Sequence, residues 1–218
     1  MALPLPLRNR LAELILDAVH DAGAREALAA VAAVCADPRA LAGREPPARF
    51  PADLFERDAG GLVLRSGFGA SAREMGARAE RGWRALRDRP VADGEPARDE
   101  ALDAAATLFD AGLYFEVHEL LEPHWFRARG PEREALQGLI QIAVGFQHLV
   151  NGNRRGALAL LHEGAAKAAG GRLAGLPLAE FAESVGRGGA ALAALADGDD
   201  RFDWARVPPF PRARSSRR

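Results

Sequence analysis

Residues 108–122 read LFDAGLYFEVHELLE and residues 149–163 read LVNGNRRGALALLHE. Each stretch sets a short glycine turn between two runs whose apolar residues recur at helical spacing. The two lie about 40 residues apart and share the pattern of apolar positions after the turn. Repeats of the tetratricopeptide type look like this, but two copies are fewer than a solenoid needs. The pattern therefore predicts an all-α fold, a compact bundle of antiparallel helix hairpins. Working outward, helices are expected near 99–110, 113–128, 132–150 and 154–169, with a fifth from Pro177 to about Ala196. The 132–150 helix is apolar nearly all round, which marks it as central. Pro131 suits the first position of that helix.

The flanks read differently. Residues 7–36 predict two helices broken at Gly23 and ended by Pro38. Pro46, Pro47 and Pro51 demand an irregular path, and Gly60-Gly61 signals a turn before an extended Leu62-Val63-Leu64. Ser71, with Glu74 three residues on, reads as a capping box opening a helix to about Arg89. A linker at 90–98 then divides an N-terminal helical region, 1–95, from the bundle, 96–200. The 201–218 tail is expected to be extended, with its last residues disordered, and its arginines suit a solvated end. In the tail, Phe202, Trp204 and Phe210 among prolines predict packing on the bundle.

Composition narrows the function classes. About one residue in five of the 218 is Ala, and Lys167 is the sole lysine among 29 basic residues. Ala and Arg favour helix. Thirty acidic residues leave a net charge of −1, which argues against a nucleic-acid partner. No run approaches the ~18 apolar residues of a membrane span, so no membrane partner is expected. The single cysteine, Cys35, excludes an internal disulfide framework and reads as a small buried hydrophobe. Together these predict a cytoplasmic protein.

One cluster carries chemistry. At 100° per residue, His118, Glu119 and Glu122 fall in one arc with Phe115, Trp125 and Phe126, while Val117, Leu120 and Leu121 form the core stripe. Carboxylates among large aromatics imply a partly enclosed site. On the next helix Gln137, Gln141 and His148 share a stripe, expected to face His118 and Glu122. Gly138 and Gly145 would admit another helix on an adjacent face. Three readings stay open. His118, Glu119, Glu122 and His148 could ligate a divalent transition metal, although neither a His-Glu-x-x-His nor a paired Glu-x-x-His motif is present. The same groups could perform acid/base chemistry, but no nucleophile, phosphate loop or cofactor motif accompanies them. Or they form a hydrogen-bonded network that fixes the hairpins beneath a binding groove. Tyr114, Glu116, Trp125, Gln137 and Gln141 are the candidate ligand-binding residues. His20, His162 and His124 read as surface or boundary residues. Pro123 removes one backbone bond, to Glu119, and predicts a kink.

The order of these residues resembles the bacterial family called domain of unknown function 309. Its pattern falls here on Phe115 and Glu116, on His118, Glu119, Glu122 and Trp125, on Gln137, Gly138, Leu139, Ile140 and Gln141, and on Gly152 and Asn153. Pro123 departs from it. The resemblance covers about residues 100–170 and implies a small all-helical domain with no established activity. The reading that follows is a soluble protein with a partly enclosed His/Glu site for a metal ion or small ligand. The alternative is a non-catalytic helical-hairpin interaction module with a purely structural polar cluster. A homo-oligomer fits either, and whether the protein is an enzyme stays open.

Overall fold

The computed structural model describes residues 3–91, 97–173, 175–195 and 201–213. Most of the expected 90–98 linker and the last tail residues lie outside them. Among the described residues there are eight α-helices and one two-stranded sheet, so the all-α expectation holds. The chain divides into two compact units, residues 1–96 and 97–218.

The first unit holds α1 (Leu5–Asp17), α2 (Ala22–Ala36), β1 (Phe55–Asp58), β2 (Gly61–Leu64) and α3 (Ala72–Leu86). The sequence predicts a break at Gly23, but the structure places it earlier. The break falls at 18–21, and Gly23 sits in the first turn of α2. The cause is Asp21, whose carboxylate accepts from Gly23 N at 2.7 Å and Ala24 N at 3.2 Å. The Ala24 amide is the largest of the influences that hold this carboxyl below its usual range. Ser71 does precede α3, but its hydroxyl bonds no helix amide, and the helix stops at Leu86 rather than Arg89. Leu7, Leu11, Ile15, Leu28, Met75 and Leu86 are fully buried and form the core.

The sheet is an antiparallel hairpin in register Phe55↔Leu64 and Asp58↔Gly61. Asp58 Oδ1 accepts from Gly60 N and Gly61 N and so shapes the turn. Gly61, at φ +133°, brings the hairpin against the backbone of Pro38, where Leu62 N donates to Pro38 O at 2.9 Å. A Cβ on Gly61 would lie 2.2 Å from that oxygen.

Helices α2 and α3 approach closely where Gly76 meets Cys35. A Cβ on Gly76 would stand 2.7 Å from the Cys35 Cβ. Burial pushes the Cys35 thiol up to about 12. Its ordinary value is 9.0, so the folded state holds the proton throughout the physiological range. The thiolate is the species that is alkylated, so at pH 8 iodoacetamide should label native protein about a thousandfold more slowly than an ordinary thiol. Labelling followed by intact mass, with and without urea, checks this. Rapid native labelling would show that the thiol is not protected.

The second unit contains α4 (Arg98–Asp110), α5 (Tyr114–Arg127), α6 (Gly130–Val150), α7 (Arg154–Gly170) and α8 (Leu178–Ala193). Each helix packs on its sequence neighbour. The two glycine turns that decided the fold are alike in structure. Gly112 closes α4–α5 at φ +72° and Gly152 closes α6–α7 at φ +76°. Phe109 links the layers, with ring centroids 5.7 Å from Phe146 and 6.1 Å from Phe181. The tail lies on this unit, with Phe202 and Phe210 buried and Trp204 exposed.

Helices α6 and α7 touch through backbone. A Cβ on Gly138 would lie 2.5 Å from Ala168 N and 2.8 Å from Gly164 O, and one on Gly145 would meet Leu161 at 3.0 Å. The close approach predicted from Gly138 and Gly145 is thus present, and its partner is α7.

Candidate functional site

The site residues stand on α5. This helix is continuous from Tyr114 to Arg127 and includes Pro123, which lies on its exposed side. Val117 and Leu121 are fully buried, as their stripe predicts, while Leu120 is half-buried. The polar arc is more open than its aromatics imply. His118, Glu119 and Glu122 keep 26%, 38% and 40% of their side-chain surface. Phe126 is 58% exposed. The arc is a half-exposed strip, not an enclosed pocket.

Within the strip His118 is the hub. Its Nδ1 stands 3.1 Å from Glu119 Oε1, and its Nε2 stands 3.7 Å from Glu122 Oε1. Both carboxylates come from the same helix. The Phe115 ring lies 6.2 Å from the imidazole. Trp125 stacks 4.8 Å from Phe126 on one side and carries the Arg133 guanidinium 4.2 Å over its ring. Arg133 also donates to the Trp125 carbonyl at 2.9 Å. A cation over indole adds about 0.5–2 kcal/mol. The Trp125 Nε1 is buried and meets no hydrogen-bond acceptor among the described residues.

The α6 stripe does not face His118 as expected. Gln141 donates through Nε2 to Glu163 on α7 at 3.2 Å, and its buried Oε1 has no donor among the described residues. His148 Nδ1 pairs with Asn153 Nδ2 at 2.8 Å, at the α6–α7 turn. The reason is helical phase. At ~100° per residue Gln141 lies ~40° from Gly145 and ~60° from Gly138 on the wheel, beside the face where the glycines draw α7 inward, so it turns toward that helix. Gln137 is half-buried on the same helix.

The proposed four-residue metal set is therefore not assembled. His148 is engaged at the far turn, and among the described residues no group of three or more His, Cys, Asp or Glu is placed to hold a metal ion. His118, Glu119 and Glu122 come from one helix, and the ring nitrogens point at different carboxylates rather than converging with them on one point. The donor set does not fit a resident divalent metal, which needs several converging ligands.

The ligand-binding candidates also separate. Tyr114 is a core aromatic, 5.0 Å from Phe109 and 5.5 Å from Phe146. Glu116 is fully buried, the one carboxylate so placed among the described residues, and sits on a different face from His118. Only Trp125 adjoins the strip. Arg133 is the contributor that sequence reasoning missed. Its signal was present, since it extends the Gln137–Gln141 stripe by one turn.

A bundle of short helical hairpins with a half-exposed polar strip on α5 makes up this helical domain. Residues 102–160 match the family model described as domain of unknown function (DUF309), and the family resemblance read from the sequence stands over that stretch. No curated protein and no solved structure matches the chain. No helix among the described residues is long and apolar enough to cross a membrane.

Proposed function

We propose that the helical-hairpin unit is a non-catalytic recognition module and that the α5 strip is its contact face. The partner is a protein segment that sets an apolar side chain on Phe126 and arginine or lysine beside Glu119 and Glu122. One observation carries this reading: Phe126, a large aromatic, is exposed on the helix face that carries two half-exposed carboxylates, Glu122 about one turn away and Glu119 about two. An exposed aromatic with a charged rim suits a protein contact better than it suits free solvent. The open shape of the strip favours a surface contact over a small-molecule pocket.

A capped Arg-Phe dipeptide amide is a minimal probe. Titrated against labelled protein, it should shift the resonances of Phe126, His118 and the Trp125 indole, and added salt should reverse the effect. Glu119→Gln with Glu122→Gln should abolish the shifts while changing stability by less than about 1 kcal/mol, since half-exposed polar contacts contribute little. Shifts unchanged in the double variant would count against the reading. So would near-stoichiometric Zn, Mn, Fe or Ni in protein purified without chelator or affinity metal, if it is lost in His118→Ala. That result would place a metal centre there instead.

A further inference from the structure

The chain's own tail makes the most ligand-like contact in the molecule. Residues 207–212 read Val-Pro-Pro-Phe-Pro-Arg. No helix or strand forms beyond Arg206 among the described residues, so nothing regular holds this segment. Two anchors do. Phe210 is 2% exposed, its ring 5.3 Å from Phe109 of α4 and 5.8 Å from Phe181 of α8. Asp110, the last residue of α4, grips both sides of it. Its Oδ1 accepts from Phe210 N at 2.8 Å, and its Oδ2 accepts from Arg212 at 2.6 Å. One carboxylate thus reads a backbone amide and a guanidinium two residues apart.

These are the parts of a peptide-recognition groove. Prolines at 208, 209 and 211 fix φ and lower the entropy lost on docking. An aromatic-lined slot takes the side chain between them, and a charge-assisted pair sets direction. The groove is also longer than its anchors. A cleft lined by Ala111, Gly112 and Tyr114 opens beside Val207–Pro209. A second, lined by Asp99 and Asp103, opens beside Pro211–Ala213. The second is acidic, and it lies at the end where Arg212 sits.

We infer that this groove is a docking site for proline-rich segments of the type Pro-Phe-Pro-Arg, and that residues 207–212 are its resident intramolecular ligand. The same segment supplied in trans takes its place. The tethered copy competes at an effective concentration in the millimolar range, so the intact protein binds a free peptide weakly. Loosening the tether uncovers the site. This groove is separate from the α5 strip, and its test does not depend on that reading.

The probe is a fluorescent peptide of residues 206–213, RVPPFPRA. It should bind full-length Phe210→Ala at least tenfold more tightly than the unaltered protein. Adding Asp110→Asn to that variant should cost at least tenfold, and a peptide with Ala in place of its Phe should not bind. A cooperatively melting Phe210→Ala protein that ignores the peptide overturns the inference, as does binding that Asp110→Asn leaves unchanged. If Phe210→Ala does not fold, amide exchange on the unaltered protein decides. Excess peptide should lower the protection of the Phe210 N–H while leaving the α6 amides protected. Unchanged Phe210 protection overturns the inference.

Discussion

Gly138→Ala should lower the thermal midpoint of the helical-hairpin unit by on the order of 10 °C, from a loss of about 3 kcal/mol. Propensity alone predicts the opposite sign, because alanine in a helix interior is favoured over glycine by about 1 kcal/mol. Packing wins because the new methyl would meet Ala168 N at 2.5 Å and Gly164 O at 2.8 Å. Both are backbone atoms, and a backbone cannot rotate away as a flexible side chain can. Relief requires α6 and α7 to separate, which strips contacts along the whole crossing. Gly186→Ala on α8 is the control. No heavy atom lies within 4 Å of its added Cβ, so it should stabilise by about 0.5–1 kcal/mol. Calorimetry on the pair checks both signs. A neutral Gly138→Ala would mean that α6 and α7 do not meet backbone to backbone at Gly138.

Arg25→Met should destabilise the first unit by about 3–4 kcal/mol, the scale for leaving several buried carbonyls without their donor. Arg25 is buried, and its guanidinium gathers the carbonyls that end two helices. Nε donates to Ala18 O at 2.8 Å and Nη2 to Val19 O at 3.1 Å, beyond the C-terminus of α1. Nη1 reaches Arg89 O, and Nη2 also approaches Pro90 O, past the end of α3. Burial, with the Arg89 charge as a lesser influence, pulls the Arg25 pKa below its ordinary value. Methionine fills similar space but leaves those carbonyls without a donor. Arg25→Lys should rescue little, since one ammonium cannot span a planar fork's set of acceptors. Amide exchange across α1–α3 should accelerate in both variants. Full rescue by lysine would show that charge, not fork geometry, matters.

Much of the fold was legible because helices announce themselves by period and glycine turns by composition. The 108–122 and 149–163 stretches gave both hairpins and both positive-φ glycines. What escaped was decided by contacts that leave little local trace. Strand β1, Phe-Glu-Arg-Asp, buries only Phe55, so no alternation betrays it. Gly23 looked like a breaker, but the Asp21 carboxylate accepts from the Gly23 and Ala24 amides, and that outweighs glycine's reluctance to be helical. The site was read less well. His118, Glu119 and Glu122 do share an arc, but aromatics do not ensure enclosure, and Phe126 stands in the open. The wheel placed the α6 stripe correctly and could not say which neighbour it faced. Asp110 drew no notice, because its partners lie 100 and 102 positions away in sequence.

Cys35 gives the molecule a practical property. Because burial keeps its thiol protonated, a cysteine introduced at an exposed tail position would react first with a spin label or fluorophore. The native cysteine need not be mutated away. Distances from such a labelled tail to a second exposed mark on the same unit would then report the tail's docked and released populations directly.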